Sequence, residues 1–178
     1  HRLRRLDAWL DYAIELGCSG LLLGPIFDSV SHGYDTLDHF AIDPRLGDAD
    51  DFDRLVAECR ARGLNILLDG VFNHVAASHP DADRLSRRGE DGAVRSWEGH
   101  GGLTALDHSN SEVADLVAEV MLHWLRRGIA GWRLDVAYEV PPEFWREVTG
   151  RVRREFPGVL FLGEMIHVDY SGFVEASG

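Results

Sequence analysis

Cysteines, long apolar runs and a leader segment are scarce or missing in this sequence. Only two cysteines, Cys18 and Cys59, occur in 178 residues. Both lie in apolar-periodic segments, so we expect buried free thiols rather than a disulfide framework. No apolar run approaches the roughly 20 residues that span a bilayer. The first residues lack a signal peptide and do not begin with Met, which indicates a cut end. Localisation is therefore unknown, although free cysteines favour the cytoplasm.

Positive charge is also scarce. The chain carries 18 Lys and Arg residues against 30 Asp and Glu residues, which gives a net charge of −12. This balance argues against nucleic acid and against an anionic membrane surface as partners, because both are negatively charged. A hydrophobic content of 45% excludes a disordered chain and is enough for a buried core. The length is typical of one domain.

Helical and strand-like segments alternate along the chain. The predicted helices cover 3–16, 50–62, 111–127 and 141–156, and the predicted buried strands cover 19–27, 64–71, 129–136 and 159–163. This alternation predicts an α/β fold with a parallel sheet and helices packed outside it. Because a complete eightfold barrel has about 250 residues, four units indicate either a smaller open sheet or part of a barrel. The polar, glycine-rich stretch 76–102 is long for a connection, and such loops are usually functional.

Polar residues gather where the predicted strands end. Asp69–His74 (DGVFNH) ends the second strand, Gly131–Asp135 (GWRLD) ends the third, and Gly163–Glu164 ends the fourth. Ser31–Asp35 (SHGYD) follows the first strand. In parallel α/β folds the functional site forms at the carboxyl ends of the strands. We therefore expect these segments to form one site.

Three of these residues indicate a reaction that uses two carboxyl groups. Arg133 and Asp135 are two positions apart on one strand, so their side chains point the same way. A guanidinium beside a carboxylate lowers the pKa of that carboxyl and keeps it ionised. Glu164 ends the next strand, and neighbouring strands lie about 4.8 Å apart. The two carboxyl groups can thus approach the separation of about 5 Å that is typical of retaining glycosidases.

Together these segments resemble the signature regions of the α-amylase family, glycoside hydrolase family 13. DGVFNH, GWRLD and GE follow the order of its first three regions, and residues 32–47 (HGYDTLDHFAIDPRLG) resemble its stretch after the second barrel strand. Residues 131–140 (GWRLDVAYEV) are most similar to the neopullulanase and cyclomaltodextrinase branch. The resemblance implies an internal fragment of the catalytic domain. It would be a partial (β/α)8 TIM barrel spanning roughly the second to the fifth strand.

The resemblance also implies domain boundaries and residue roles. Residues 1–75 and 106–178 would belong to the barrel, and 76–105 would be a short inserted domain after the third barrel strand. Asp135 would be the nucleophile and Glu164 the general acid/base. Arg133 would hold Asp135 ionised and near the sugar. The other residues implied to contact the sugar or to support these contacts are His74, Tyr34, His32 and Asp69. The implied partner is an α-glucan or maltooligosaccharide substrate, cleaved with retention.

Some family features are missing. The Asn-His-Asp type motif that supplies a third carboxylate does not occur before Gly178, so a complete site would need the remainder of the barrel. Asn73 matches one calcium ligand of the family, but Ala105 stands where calcium-binding members have Asp. We therefore expect no cofactor and no metal. Trp97 is left open between packing and sugar contact, and His167 is a candidate for the leaving-group side.

Two other functions stay open at this point. A metal-dependent barrel hydrolase could use His74, Asp135 and further histidines, and it would lose activity with a chelator. A non-catalytic amylase-like domain that binds carbohydrate or a partner would fit the missing motif. The presence of both Asp135 and Glu164 favours the glycosidase. An open half-barrel would also expose apolar faces and strand edges, which predicts weak stability or self-association.

Overall fold

The computed structural model describes residues 1–166 and 169–178 of the chain. Within these residues there are six α-helices, α1 (Asp7–Glu15), α2 (Ala49–Ala61), α3 (Ala82–Leu85), α4 (Ser111–Arg126), α5 (Pro142–Glu155) and α6 (Tyr170–Ser177). The strands are β1 (Gly20–Leu23), β2 (Phe27–Ser29), β3 (Thr36–Ile42), β4 (Asn65–Gly70), β5 (His74–Ala76), β6 (Ser96–Trp97), β7 (His100–Ala105), β8 (Gly131–Leu134) and β9 (Leu160–Gly163). Two short 3₁₀ turns cover Leu3–Leu6 and Ala137–Glu139.

A four-stranded parallel sheet forms the centre of the fold. Its strands lie in the order β1-β4-β8-β9, and every neighbouring pair is parallel. Helices α2, α4 and α5 connect successive strands, since each lies between two of them in the chain. The predicted alternation of strand and helix is confirmed. Register places Asp69 beside Arg133, and Arg133 beside Leu162.

Local signals in the sequence account for the helix ends. At the start of α2, the side chain of Asp48 accepts a hydrogen bond from the backbone of Asp51, and the Asp51 side chain accepts one in return. Asn110 caps α4 in a similar way by accepting from the backbone of Glu112. Gly128 follows α4 at a φ of 103°, a left-handed conformation that glycine adopts without strain. These ends agree with the predicted helices.

The outer face of the sheet, which the helices cover, holds the hydrophobic core. Large aromatic side chains, among them Trp124, Trp132 and Phe27, are fully buried there. The indole nitrogen of Trp124 donates to the carbonyl of His39 at 2.8 Å, so its polar atom is satisfied. Burial of these rings removes the largest apolar surfaces of the chain from water, which is the main stabilising contribution to this side of the sheet.

The inner face of the sheet is open. Leu160 and Leu162 lie in register with Gly131 and Arg133, so they share the face that carries the Arg133 side chain. Both leucines are more than half exposed, and Leu22 on the opposite edge strand is also half exposed. Apolar surface of this kind is what we expect of a sheet that is part of a barrel, because closure would bury it.

The region between β4 and α4 differs from the sequence prediction. The stretch 76–102 was expected to be a polar loop, but it contributes to a three-stranded antiparallel sheet in the order β5-β7-β6. These strands have two to six residues, and β7 is rich in glycine, so they lack the apolar alternation that predicts a strand. The pair β2 and β3 and the helix α6 were also missing from the sequence prediction.

None of the helices within the described residues is long and apolar enough to cross a membrane. Cys59 is buried as expected, whereas Cys18 is exposed, which corrects the expectation that both thiols are buried. Cys18 lies between the end of α1 at Glu15 and the start of β1 at Gly20.

Candidate active site

The candidate catalytic residues follow directly from the ends of the parallel strands. The backbone N–H of Asp135 donates to the carbonyl of Gly70 at 3.0 Å, and that of Glu164 donates to Leu134 at 3.0 Å. The backbone hydrogen bonding of the sheet therefore continues up to Asp135 and Glu164. Side chains on a sheet of this kind are held more firmly than side chains on a free loop.

Arg133 joins three carboxylates at this edge of the sheet. Its Nη1 atom lies 2.6 Å from Oδ1 of Asp69 and 2.7 Å from Oδ1 of Asp135. Its Nη2 atom lies 2.9 Å from Oε1 of Glu164. The other oxygen of Glu164 accepts from the backbone N–H of Val136 at 2.8 Å. One guanidinium thus brings together four of the seven predicted site residues.

Burial decides the ionisation of Asp135. Its carboxyl group is almost fully buried, and burial raises its pKa to about 6, with a further contribution from the neighbouring Asp69. Arg133 lowers the pKa, as predicted, but does not offset burial. The net shift is therefore opposite to the predicted one. Burial likewise raises the pKa of Asp69 despite its bonds to Arg133 and Tyr34.

Tyr34 contacts this network from the loop between β2 and β3. Its hydroxyl donates to Oδ2 of Asp69 at 3.0 Å. Burial, with the neighbouring Asp69, raises the pKa of Tyr34 to about 12, so the phenol stays protonated and keeps donating. His32 lies beside Tyr34 on the same loop, where its Nδ1 accepts from the Tyr34 backbone at 3.2 Å. More than half of the His32 side chain is exposed.

His74 is buried at the start of β5. Burial lowers its pKa to about 4, so the ring is neutral at neutral pH. The Asn73 side chain donates to Nδ1 of His74 at 3.3 Å. The ring of Trp97 stacks on the His74 ring, with the centroids 5.7 Å apart and the planes 11° apart. Trp97, which the sequence left open, is therefore a neighbour of the candidate site.

A cleft of about 590 Å³ opens between the strand ends and the β6–β7 hairpin. Four of the predicted residues line it, namely Asp135, His74, Tyr34 and His32. Arg133 adjoins the cleft through its ion pair with Asp135, and it also pairs with Asp69 and Glu164. A cleft with buried ionisable groups at one wall is the usual form of a small-molecule or oligosaccharide site.

Several residues of this cleft were not predicted. Trp97 and Glu98 line it from the hairpin, and Val136 lines it directly after Asp135. Glu98 and Val136 both adopt left-handed backbone conformations, with φ of 46° and 50°. For a β-branched residue such as Val136 this is unusual, and it directs the backbone N–H toward Glu164. No feature of the sequence signals either conformation.

The family resemblance points to two side chains, Asn73 and residue 105, at a calcium position. Ala105 lies in β7, paired with His74, and its methyl group offers no oxygen. The bond from Asn73 to His74 uses the amide nitrogen, so the side-chain oxygen, the atom that calcium would bind, takes no part in it. Among the described residues, one group of side chains is spaced for a metal, His1, Asp48 and Asp51, but Arg4 already pairs with Asp51 there. His167, the candidate for the leaving-group side, lies outside the described residues.

Comparisons with known proteins agree on one family. The family model described as "Alpha amylase, catalytic domain" matches residues 4–98. The intracellular maltogenic amylase of Bacillus subtilis is 37% identical over 176 residues, which cover 89% of this chain and 30% of that protein. Neopullulanase 2 of Thermoactinomyces vulgaris is 38% identical over 186 residues, which cover 93% and 32%. The chain thus spans about a third of the length of these curated relatives.

Solved structures confirm the fold prediction. The cyclic α-maltosyl-(1→6)-maltose hydrolase of Arthrobacter globiformis matches with a TM-score of 0.84 and 33% identity, over 93% of this chain and 42% of that one. An α-amylase of Lactobacillus plantarum matches with a TM-score of 0.87 and 27% identity, over 98% and 43%. The four parallel strand-helix units therefore form a partial (β/α)8 barrel with a short insertion, as predicted.

Proposed function

Because the chain belongs to the α-amylase catalytic-domain family, glycoside hydrolase family 13, we propose that the protein containing it hydrolyses α-glucosidic bonds with retention. The substrates would be α-glucans or maltooligosaccharides. The observation that carries the proposal is that Arg133 pairs with Asp69, Asp135 and Glu164 beside a cleft of about 590 Å³.

Asp135 is the nucleophile in this proposal. It lines the cleft, and its carboxylate is held by a single bond to Arg133, so its other oxygen can meet the anomeric carbon of a sugar. Attack by Asp135 forms a covalent ester with inverted configuration as the glycosidic bond breaks. Attack by water then releases the sugar with a second inversion. The product therefore keeps the α configuration.

Glu164 is the general acid/base. It would give its proton to the leaving glycosidic oxygen in the first step and take a proton from the attacking water in the second. Both of its oxygens have partners within the chain, since Oε1 forms an ion pair with Arg133 and Oε2 accepts from the Val136 backbone. We expect the carboxyl group to turn from at least one of these donors when substrate enters.

The remaining residues would bind and orient the sugar. Tyr34 and His32 would contact the ring at the cleaved subsite, and His74 would hydrogen-bond a hydroxyl group. Asp69 would hold Arg133 and the Tyr34 hydroxyl in place, since it accepts from both. A third carboxylate and the remaining barrel strands would be contributed by further chain, in line with the length of the relatives. The name of the Bacillus subtilis relative, an intracellular enzyme, supports a cytoplasmic location.

The test is Asp135→Asn in the protein expressed from its complete reading frame. We expect the hydrolysis rate of a maltooligosaccharide to fall by at least about 10³-fold, because the amide cannot form the ester. Asp115→Asn is the matched control, since Asp115 is an exposed residue of α4 that pairs with Arg151. Activity of Asp135→Asn within tenfold of the unchanged protein would exclude Asp135 as nucleophile.

Three further measurements test retention and separate the alternative functions. Initial product observed by NMR should have the α configuration. Incubation with a chelator should leave the rate unchanged, whereas a metal-dependent hydrolase would lose activity. Binding of maltooligosaccharide by the unchanged protein without turnover would instead support a non-catalytic carbohydrate-binding domain.

A further inference from the structure

Arg45 lies just after β3, and its guanidinium group binds the backbone of the loop that carries Tyr34. The Nη2 atom donates to the carbonyl of Ser29 at 2.9 Å, and Nη1 donates to the carbonyl of Ser31 at 2.7 Å. A longer bond of 3.3 Å joins Nη1 to the carbonyl of Val30. Three successive carbonyl groups at the start of this loop thus converge on one side chain.

A buried carboxylate holds Arg45 in this position. Asp43 is almost fully buried, and its Oδ1 accepts from Nε of Arg45 at 2.8 Å. The second oxygen of Asp43 also pairs with the guanidinium and accepts from the hydroxyl of Ser29 at 3.1 Å. The hydrogen bond from Arg45 is the main cause that lowers the pKa of Asp43, so the pair stays ionic at neutral pH. A fixed bidentate pair of this kind sets the orientation of the whole guanidinium.

The loop that Arg45 holds leads directly to the candidate site. The hydroxyl of Ser29 accepts from the backbone of Gly33 at 3.1 Å, which fixes the turn before Tyr34. The Tyr34 hydroxyl then donates to Asp69 at 3.0 Å. A continuous set of contacts therefore runs from Arg45 through the loop to the carboxylate that also binds Arg133.

We propose that Arg45 is a positioning residue for the substrate cleft. It holds the loop 29–35 so that His32 and Tyr34 face the cleft and Tyr34 reaches Asp69. The inference rests on the proposed function, because it assigns Tyr34 and His32 to sugar binding. The side-chain hydrogen bonds of Arg45 go to Asp43, to the Ser29 hydroxyl and to the loop backbone, so Arg45 acts through the loop.

The chemistry of the side chain explains why an arginine serves this purpose. A guanidinium group presents five N–H donors in one plane, and here they face three carbonyls, a hydroxyl and a carboxylate. The ammonium group of a lysine has three donors around one point, so it could keep the ion pair with Asp43 but not the carbonyl contacts. Lysine is therefore the informative conservative replacement.

The experiment compares Arg45→Gln and Arg45→Lys in the protein expressed from its complete reading frame. We expect the KM for maltotriose to rise about tenfold in Arg45→Gln with kcat within about threefold, because a displaced loop weakens binding rather than the chemistry. The KM of Arg45→Lys should lie between that of the unchanged protein and that of Arg45→Gln. The control is Arg54→Gln, since Arg54 forms an exposed ion pair with Asp7 on another surface. A partly unfolded population would lower the apparent kcat and leave KM unchanged.

Amide hydrogen exchange supplies a readout that needs no turnover. The backbone N–H of Gly33 should exchange at least about tenfold faster in Arg45→Gln than in Arg54→Gln, because its acceptor Ser29 is no longer held. Unchanged exchange, or faster exchange with an unchanged KM, would overturn the positioning role. Absence of turnover by the unchanged protein would overturn the proposed function and the sugar-binding part of this inference. The exchange result would still decide whether Arg45 orders the loop.

Discussion

The two walls of the cleft are built in different ways. On the strand-end wall, Asp69, Arg133 and Asp135 are mostly buried and are held by the hydrogen-bonded ladder of the sheet, and Arg133 pairs with both carboxylates. On the hairpin wall, Trp97 ends the two-residue strand β6, and Glu98 lies in the turn that follows it, next to Gly99. The difference suggests a division of tasks, in which the strand-end wall fixes the reacting groups and the hairpin wall shapes the space for the substrate.

The largest effect should come from breaking the strand-end wall at Glu164. Glu164→Gln removes the group that we propose protonates the leaving oxygen, so kcat/KM for a maltooligosaccharide should fall by about 10² to 10⁴. Steady-state kinetics would measure this. The matched control is Glu155→Gln, because Glu155 pairs with Arg126 on the exposed end of α5. A Glu164→Gln protein with nearly full activity would show that the acid/base lies elsewhere.

The strand-end wall is the part of the site that the sequence predicts. Its residues lie in short contiguous motifs, and the carboxyl ends of parallel strands must meet at one edge of a sheet, so grouping Asp69, Arg133, Asp135 and Glu164 needs no knowledge of side-chain packing. The alternation of helix and strand is predictable from local patterns as well, because the long helices show apolar residues at helical spacing and the buried strands stand out as short apolar runs.

The hairpin wall could not be predicted in this way. Trp97 reaches His74 through pairing of strands that are short and irregular, and no local pattern encodes such long-range contacts. The direction of the Asp135 pKa shift was predicted wrongly for a related reason. The sequence places an arginine beside the carboxyl group, but the degree of burial, which outweighs that charge, depends on the assembled fold.

The pH dependence of kcat/KM should report directly on the burial of Asp135. With the pKa of Asp135 raised to about 6, the carboxyl group that we propose as nucleophile is protonated below that pH and ionised above it. We therefore expect kcat/KM to rise with pH up to about 6 and to fall roughly tenfold for each pH unit below it. His74, with a pKa of about 4, stays neutral over this range. A pH–rate profile measures this fall in kcat/KM, and circular dichroism at each pH detects unfolding. If kcat/KM began to fall only near pH 4, Arg133 would outweigh burial in setting the pKa of Asp135.

Breaking the hairpin wall at Trp97 should have a smaller effect of a different kind. Trp97→Ala removes a ring that stacks on His74 and lines the cleft, so KM should rise by about tenfold while kcat changes less. Trp9→Ala provides the control, because Trp9 is an exposed tryptophan on α1. Kinetics on maltotriose and a longer oligomer would test the comparison. A loss confined to kcat would contradict the proposed division between the two walls.

The smallest effect should appear in the turn of the hairpin. Trp97 pairs with His100, so Glu98 and Gly99 form a two-residue turn, and both have positive φ. That conformation suits glycine but costs other residues about 1 kcal/mol or more. Glu98→Gly should therefore unfold with a free energy about 1 kcal/mol higher than Glu98→Ala, which keeps the strained backbone while removing the same carboxylate. Denaturant unfolding of the two variants measures the difference. If the alanine variant were the more stable, the turn would not be strained, and the hairpin wall would be as firmly built as the strand-end wall.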